Sequence, residues 1–535
     1  MIPPRQINPL VLILGVWITL LASFAQAQDV LTSFDAERAV SLQTPDGNTQ
    51  IVGELQGIED GQYVVRTEIG ELRVSVDAVE CSGAGCPKRS EGAGFVIHVL
   101  EGIELSVVTE LLRGYAADRG AQFEFLESQA VGQQTVRLTL PDSTSGTDIV
   151  YANGTSGLKA LLSGAAQISI QDVSILDEVT PDIAGFGAQS LELLQQQRVI
   201  GRDGLVLAVN PRNPVRNLSR SDIARVFSGE VTNWLELGGG NVPITVSALN
   251  DDHRRSADFT AFFLNGENRV LPEAARFSRD SAMQTALMQD EGSIGYLARS
   301  NIGDAKAITL RESCGLLTEP DSFTIKAGGY PLSNPVFAYA FDDRLDANVI
   351  DLLDWLSGPE AQPVLRQLGF ADTGLERSNL EDMGMMLVHS VAAGEEFNLA
   401  QYTEMLRVLR DAQRLSVAFR FETGAALLDA ASIKELELLA AQMDAGAFEG
   451  LELLLVGFAD STGPAAVNTT IAGNRAEAVR KILLDNISER TTARVRMRTL
   501  SYGELFPLAC NDDEAGRANN RRVEIWVRGL GVRDN

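Results

Sequence analysis

The sequence predicts a multidomain α/β protein, and three observations support that prediction. The chain has 535 residues, which is room for three or four domains of ordinary size. Apolar residues make up 45% of the chain, as is usual for proteins with globular cores. From about residue 92 onward, short apolar runs alternate with stretches of helical periodicity, which is typical of α/β domains with a largely parallel sheet.

The first 27 residues have the features of a signal peptide. Arg5 precedes an apolar run over residues 10–21, and Ala25-Gln26-Ala27 supplies the small residues of a cleavage site. The run is too short to span a membrane comfortably, and no later stretch reaches about 18 consecutive apolar residues. We therefore expect cleavage after Ala27 and a soluble, exported protein.

Residues 28–90 are predicted to form a small β module. Short runs of alternating apolar and polar residues are separated by turn signals, such as those at residues 45–47 and 59–61. No pattern in this module indicates chemistry. We interpret the module as an interaction surface or as a cap on the next domain.

The four cysteines bear on the contacts between the predicted domains. Export from the cytoplasm favours disulfide formation. Cys81 and Cys86 bracket a glycine-rich loop that closes easily, so we expect a bridge there, since two thiols without further ligands rarely form a zinc site. Cys314 and Cys510 fall in different predicted domains, and the sequence leaves open whether they pair or stay free.

Residues 92–376 form the largest predicted domain, which is long enough for two lobes. Its characteristic blocks are NGTSGLKALLSGAAQISI at residues 153–170, VFSG at 226–229 and GSIGY at 292–296. In order and spacing these blocks resemble the phosphate-binding solute receptors of ABC transporters. The resemblance implies a two-lobed periplasmic-binding-protein fold of type 2, with hinge closure over a small anion.

The same resemblance suggests ligand residues. Anions in such receptors lie at helix N-termini, where free N–H groups favour negative charge. The matching positions are Thr155, Ser156, Gly157, Asp172, Arg254 and Ser256. Some departures oppose an anion, because Asp258 stands in a block that is usually uncharged and Glu101 and Glu104 lie in the first loop. Phosphate, another small anion or zwitterion, and no small ligand are three open alternatives.

The last third of the chain is predicted to contain a connector and one further domain. Residues 377–415 have helical periodicity in their second half, which predicts a helical spacer. In residues 416–530, an apolar run, a polar turn and a helical pattern place Asp460 at a strand end and Arg475 in a helix. A fixed carboxylate near a fixed guanidinium suits a ligand with both charges, such as an amino acid. An ordinary surface ion pair is the competing interpretation.

Three motifs in residues 416–530 resemble the OmpA-like peptidoglycan-binding domain. The family pattern G-H-T-D-x-x-G, N-x-x-L-S-x-x-R-A and N-R-R-V-E is matched in order, with Phe458, Ala459 and Ala472 among the departures. The resemblance implies an α/β sandwich that holds diaminopimelate of the stem peptide, with its ammonium on Asp460 and its carboxylate on Arg475. The positions that we assign to peptidoglycan binding are Asp460, Asn468, Arg475 and Arg522.

Charge and motif content argue against several other functions. The net charge of −27 and the pI near 4.6 disfavour nucleic acid and anionic membranes as partners. The three histidines form no metal-binding pattern, and neither a P-loop nor a G-x-S-x-G motif occurs. We therefore expect no enzyme, no metal and no cofactor.

Together these features predict a periplasmic protein of a Gram-negative bacterium that anchors to peptidoglycan. It would present a solute-binding domain for phosphate or another small anion, with an ABC transporter or an outer-membrane protein as a further partner. Association with the outer membrane is left open. The alternative is a cell-envelope scaffold whose receptor-like domain has lost its small-molecule ligand.

Overall fold

The computed structural model describes residues 39–530, apart from short gaps. The gaps are residues 45–48, 60–61, 68–69, 76–78, 83–92, 101, 127–132, 141–142, 153–155, 173–196, 265–268, 343–344, 394–397, 422–427 and 429. The predicted signal peptide, residues 1–27, lies outside the described residues. Among those that are described, no helix is long and apolar enough to cross a membrane. The chain divides into two compact units, Met1–Gln197 with Ala338–Leu353 and Arg198–Phe337 with Asp354–Asn535.

The first unit begins with the predicted β module, a five-stranded antiparallel sheet in the order β4-β3-β2-β1-β5. Alternate residues of its strands share one face, and Val40, Leu42, Tyr63 and Val65 form a small core there. The strands are β1 (Ala39–Gln43), β2 (Gln50–Glu59), β3 (Gln62–Thr67), β4 (Gly70–Ser75) and β5 (Glu80–Ser82).

The rest of the first unit contains a mixed sheet with helices. The elements are β6 (Ala93–Leu100), α1 (Leu105–Asp118), β7 (Gln122–Leu126), β8 (Gln133–Leu140), β9 (Ser143–Ala152), α2 (Ser156–Ser163) and β10 (Ile168–Gln171). Strand β6 pairs in parallel with β9 and β10, whereas β7, β8 and β9 pair antiparallel. The expectation of a largely parallel sheet is therefore wrong here. Strands that follow one another through short connections can pair only antiparallel.

The second unit begins with an α/β lobe. Its elements, in chain order, are β11 (Arg198–Val209), β12 (Asn217–Ser219), α3 (Arg220–Phe227), β13 (Thr245–Leu249), α4 (Arg254–Phe263), β14 (Ala275–Phe277), α5 (Asp280–Gln289), β15 (Ser293–Ala298), β16 (Lys306–Ala307), β17 (Thr309–Arg311), β18 (Leu317–Thr318), α6 (Ser322–Lys326), β19 (Ser333–Tyr339), whose last two residues belong to the first unit, and, after α7 (Ala347–Ser357), which lies mainly in the first unit, α8 (Gln362–Gln367). Strand β15 pairs antiparallel with β11 and parallel with β13. Aromatic rings fill the core of the lobe, and Phe259 stacks on Tyr296 with 4.0 Å between ring centroids.

The C-terminal part of the second unit is a five-stranded sheet in the order β20-β21-β24-β22-β23. Its elements are β20 (Arg377–Asn379), α9 (Gly384–Ala393), α10 (Leu399–Leu409), β21 (Gln413–Arg420), α11 (Ala430–Asp444), β22 (Leu451–Phe458), α12 (Ala465–Asn486), α13 (Glu489–Thr492), β23 (Arg496–Gly503), α14 (Glu514–Asn520) and β24 (Arg522–Gly529). Strand β22 is apolar on both faces. Leu453 and Leu455 pack in one core with α11 and α12, whereas Leu454 and Val456 pack in a second core with α10.

The predicted spacer over residues 377–415 is a layer of this domain. Strand β20 pairs with β21, and α10 covers the second face of the sheet. That second core contains Tyr402, Met405, Leu409, Leu454, Val456 and Trp526. An apolar face must be buried against another element, and the connector supplies that element. The interpretation of the connector as a spacer therefore does not hold.

Candidate functional site

Asp460 lies just beyond the C-terminal end of β22, in the turn that leads to α12. Gly463 has φ +92°, a backbone conformation that favours glycine, and it turns the chain toward the helix. The carboxylate of Asp460 is largely buried, with 9% of the residue exposed. Its Oδ1 accepts a hydrogen bond from the Thr462 N–H at 3.0 Å, and its Oδ2 accepts one from Arg521 Nη1 at 2.9 Å. The carboxylate is therefore held in one orientation.

Arg475 lies on the buried face of α12. The helix packs closely on β22, because Gly457 faces the backbone of Ala472 and a Cβ at Gly457 would overlap the Ala472 carbonyl. Arg475 is 6% exposed, and its guanidinium carbon lies 5.3 Å from the centre of the Phe421 ring. Among the described residues, none forms a hydrogen bond or an ion pair with this guanidinium.

The electrostatics around Arg475 favour an incoming anion. Burial lowers the pKa of Arg475, and the positive charge of Arg521 lowers it further, while Asp460 opposes both effects. A guanidinium that has lost water and gained no hydrogen-bond acceptor is destabilised in its charged form. A carboxylate brought by a ligand would supply the missing charge and the missing acceptors.

Arg521 is a member of this site that the sequence analysis missed. It bridges Asp460 and Glu514, with Nη2 of Arg521 2.6 Å from Glu514 Oε1. Burial opposes the charge of Arg521, but the bonds to both carboxylates outweigh it and raise its pKa. The signal for Arg521 was its place beside Arg522, where α14 passes into β24. Neighbouring residues of an extended chain point to opposite sides, so one of the two arginines can face the core while the other faces the site. We call Asp460, Arg475 and Arg521 the charged site.

Arg522, in contrast, points into the core of the domain. It has no exposed surface, and it donates hydrogen bonds to Glu524 Oε1 and to the Phe506 carbonyl, each at 2.8 Å. Its guanidinium carbon lies 4.3 Å from the centre of the Phe458 ring, and burial lowers its pKa to about 10. The assignment of Arg522 to ligand binding does not fit this geometry, so we give it a structural role.

Asn468 is also enclosed, but it borders the charged site. Its side chain is 2% exposed and donates to Glu504 Oε2 at 3.0 Å and to the Gly463 carbonyl at 3.4 Å. These bonds fix the turn that carries Asp460 relative to α12. Asn468 therefore orients the site instead of facing a ligand.

The receptor residues divide between the two units. In the first unit, Ser156 and Gly157 begin α2, Gly157 is buried, and Asp172 is buried just after β10, while Thr155 lies outside the described residues. In the second unit, Arg254 and Ser256 belong to the first turn of α4. The structure thus keeps Ser156, Gly157 and Asp172 near helix and strand ends, as the motifs indicate.

Two residues at the start of α4, Ser256 and Arg254, have partners within the lobe. Ser256 Oγ donates to the Leu249 carbonyl at 3.1 Å and shares a 2.7 Å hydrogen bond with the Tyr296 hydroxyl. Arg254 Nη1 lies 3.0 Å from Asp258 Oδ2, an ion pair across one helical turn. Asp258 therefore pairs with one nitrogen of the arginine that the motif offers to an anion, and its negative charge opposes an anion there.

The cysteine at position 314 is joined to Cys510 by a disulfide within the second unit. This answers the pairing that the sequence left open. Cys81 is also disulfide-bonded, and its predicted partner, Cys86, lies outside the described residues. In the part of the chain that the structure describes, no group of three or more His, Cys, Asp or Glu side chains could hold a metal ion.

Comparison with known proteins identifies two regions. The family model for the PBP superfamily domain matches residues 123–360, and the OmpA family model matches residues 420–521. The phosphate-binding protein PstS of Bacillus subtilis is 29% identical over 184 residues, which are 34% of this chain and 57% of that protein. The chain thus spans little more than half the length of this relative.

Two solved structures are similar to separate parts of the chain. An ABC-type phosphate transport receptor from Vibrio cholerae has 20% identity and a TM-score of 0.36, covering 51% of this chain and 98% of the receptor. The peptidoglycan-associated lipoprotein from Burkholderia pseudomallei has 24% identity and a TM-score of 0.18, covering 21% of this chain and 89% of the lipoprotein.

Proposed function

The chain joins a phosphate-receptor-type domain of the PBP superfamily to a C-terminal OmpA-family domain, and from this premise we propose that it is an exported, peptidoglycan-anchored solute-binding protein. Both families consist of binding proteins, and both point to the cell envelope. The OmpA-family domain would hold the stem peptide at the charged site. The receptor domain would be retained at the wall, in the periplasm, to bind phosphate or another small anion.

The observation that supports wall binding is the buried Arg475 guanidinium, which has no hydrogen-bond acceptor among the described residues. Diaminopimelate carries an ammonium and a carboxylate on one carbon. The ammonium would donate a hydrogen bond to Asp460, which also accepts one from Arg521. The carboxylate would accept hydrogen bonds from Arg475. Each charge-assisted bond contributes about 1.5–3 kcal/mol when it is shielded from water.

The test is sedimentation of the mature protein with purified peptidoglycan sacculi. We expect the wild type to sediment, and Asp460→Ala and Arg475→Ala to stay in solution. The matched control is Arg480→Ala, because Arg480 lies on the same helix but forms a partly exposed pair with Glu477, away from the charged site. Arg480→Ala should sediment like the wild type. Unchanged sedimentation of both site variants would refute the assignment of the charged site.

The ligand of the receptor domain is the second part of the proposal. The name of the B. subtilis relative, and the helix start at Ser156 and Gly157, support phosphate or another small anion. The occupied groups at Arg254 and Ser256 favour the competing function, an envelope scaffold without a small ligand. Calorimetric titration with phosphate separates the two functions. A one-site isotherm excludes the scaffold, and no heat with phosphate or related anions supports it.

The combination of the two domains suggests a tether. Retention at the wall raises the local concentration of the receptor near an ABC transporter or an outer-membrane protein. In cells, Asp460→Ala should release the receptor domain from the wall and lower solute uptake when the solute is scarce. Equal uptake by wild-type and released protein would argue against a tether.

A further inference from the structure

A disulfide joins the receptor lobe to the OmpA-family domain within the second unit. Strands β17 and β18 form a hairpin, residues 309–318, which we call the receptor hairpin. Cys314 lies in its turn, and Gly315, with φ +87°, follows it. Cys314 bonds Cys510, which is 196 residues further along the chain, and the Cys314 N–H lies 3.1 Å from Cys510 Sγ. The hairpin turn is thereby fixed to residues 508–513, which we call the seam loop.

The seam loop also contacts the charged site. Asn511 Oδ1 accepts a hydrogen bond from the Ser461 N–H at 3.3 Å, and Ser461 directly follows Asp460. Asp513 caps α14 by accepting from the Gly516 N–H at 2.7 Å. The first residue of α14 is Glu514, which holds Arg521 against Asp460. Two routes therefore lead from the seam loop to the carboxylate of Asp460.

The seam loop is a stiff connection along both routes. Asn520 binds it from the far end of α14, where its Oδ1 accepts from the Leu508 N–H at 2.8 Å and its Nδ2 donates to the Ala509 carbonyl at 2.7 Å. Asn520 Nδ2 also donates to Asn511 Oδ1 at 3.0 Å. Gly516 allows a close approach, because a Cβ there would overlap the Cys510 carbonyl. A shift of Cys510 would therefore move the loop and the start of α14 together.

The other contacts between the receptor hairpin and the seam loop are polar and partly exposed. Ser313 donates a hydrogen bond to Asp512. Arg220 lies 3.7 Å from Asp513 and 3.4 Å from Glu312, with a third of its side chain exposed. The Glu312 side chain is largely buried, but the pair with Asp513 in the seam loop is long and half exposed, so it holds the loop weakly. The disulfide is the contact that fixes the hairpin to the loop.

We propose that the Cys314–Cys510 disulfide positions the peptidoglycan site, so that the receptor lobe completes the site of the OmpA-family domain. The hairpin fixes Cys510, Cys510 fixes Asn511 and the cap of α14, and these orient Asp460 and Arg521. This inference rests on the proposed function of the charged site. Without the bond, the seam loop has more freedom, and the carboxylate must be ordered when the stem peptide binds.

The test is a double-mutant cycle on binding of a soluble stem tripeptide that ends in meso-diaminopimelate. The variants are Cys314→Ser/Cys510→Ser, Asn511→Ala and the combination of all three, with affinity measured by calorimetry in the full chain. We expect either change to weaken binding by roughly five- to tenfold, at the low end of couplings between sites. The combination should weaken binding by less than the product of the two separate losses, because Asn511 carries one of the two routes from the disulfide to Asp460.

A merely structural disulfide would give a different result. Far-ultraviolet circular dichroism and thermal unfolding identify temperatures at which every variant is folded, and affinities are compared only there. The control is Cys81→Ser/Cys86→Ser, which removes cysteines of the N-terminal module and should leave the affinity unchanged. Unchanged affinity in Cys314→Ser/Cys510→Ser, or losses that multiply in the combination, would overturn the proposal.

Reduction provides a second measurement that does not depend on a substitution at the bond. Cys510 lines a cavity of about 180 Å³ and Cys314 is partly exposed, so the disulfide is tested with a small phosphine reductant. In the Cys81→Ser/Cys86→Ser background, reduction should weaken tripeptide binding and reoxidation should restore it. Affinity that does not respond to reduction overturns the inference alone. Tripeptide binding that is equal in wild type, Asp460→Ala and Arg475→Ala overturns the proposed function as well.

Discussion

The charged site of the OmpA-family domain and the start of α4 in the receptor lobe both place an arginine near an aspartate. At the charged site, Arg475 is buried with no described acceptor, and Asp460 is oriented by Arg521. At the start of α4, Arg254 pairs with Asp258 across one helical turn. The difference teaches that the spacing of charges does not by itself identify a binding site. What separates the two regions is that Arg254 has a carboxylate partner on its own helix, whereas Arg475 has none among the described residues.

Arg522→Met tests whether a buried arginine that is already paired has a structural role instead of a role in ligand binding. Arg522 is fully buried like a site residue, but Glu524 pairs with it. Its loss leaves the buried Glu524 with Arg414 as its remaining cationic partner, so we expect the free energy of unfolding to fall, by at most about 3–5 kcal/mol. Urea denaturation of the full chain measures this. Arg494→Met, at an exposed pair with Glu449, is the control and should change it little.

Arg475→Met separates binding from stability. Removing the guanidinium should cost about 1.5–3 kcal/mol of stem-peptide binding, through the lost charge-assisted bonds. The same change should leave the free energy of unfolding unchanged or higher, because it removes a buried charge that no described residue pairs with. Calorimetry and urea denaturation on the same sample give both values. A strong loss of stability would mean that Arg475 is structural, as Arg522 is.

Mild acid should destabilise the first unit through His98. His98 lies in β6, and burial lowers its pKa from the ordinary 6.5 to about 4. The folded state therefore favours neutral His98, and its contribution is complete above pH 6.5 and is lost as the pH falls toward 4. We expect a loss of about 2–3 kcal/mol at pH 4.5. His98→Gln should remove this part of the pH dependence of unfolding, and an unchanged slope would contradict the assignment.

Asp258→Gly should make the α4 region more like the charged site. It frees Arg254 from its ion pair and removes a negative charge from the helix start. We expect phosphate affinity to rise roughly fivefold, the effect of about 1 kcal/mol. Asp304→Ala, at an exposed position of the same lobe, is the control. If phosphate binding does not respond, Asp258 is not what separates the two regions.

The sequence predicted the α/β fold classes and the order of the domains, because each motif block spans a strand, a turn and a helix that follow one another along the chain. It placed Asp460 beyond a strand and Arg475 within a helix, as the structure does. It assigned Arg522 to the ligand and missed Arg521, since a motif gives residue types and not the direction in which each side chain faces where α14 passes into β24. It also left the pairing of Cys314 with Cys510 open, because that contact depends on the tertiary structure.

The predictions of a helical spacer and of a largely parallel sheet were wrong for a related reason. Helical periodicity in residues 399–415 shows an apolar stripe, but it does not show which surface that stripe covers. The answer was in β22, whose apolar residues follow one another without alternation and so predict burial on both faces. The mixed sheet of the first unit depends on the short connections between β7, β8 and β9, which favour antiparallel pairing. The alternation of apolar runs and helical stretches does not reveal this pairing.

The second core, beneath α10, sets where this protein can be divided. A fragment that begins at residue 416 would lose α10 and expose Leu454, Val456 and Trp526 to water, so it would be prone to aggregate. A fragment that begins at residue 377 keeps both faces of the sheet covered. The module that keeps both faces of its sheet covered is therefore longer than the family match at residues 420–521 and includes the connector.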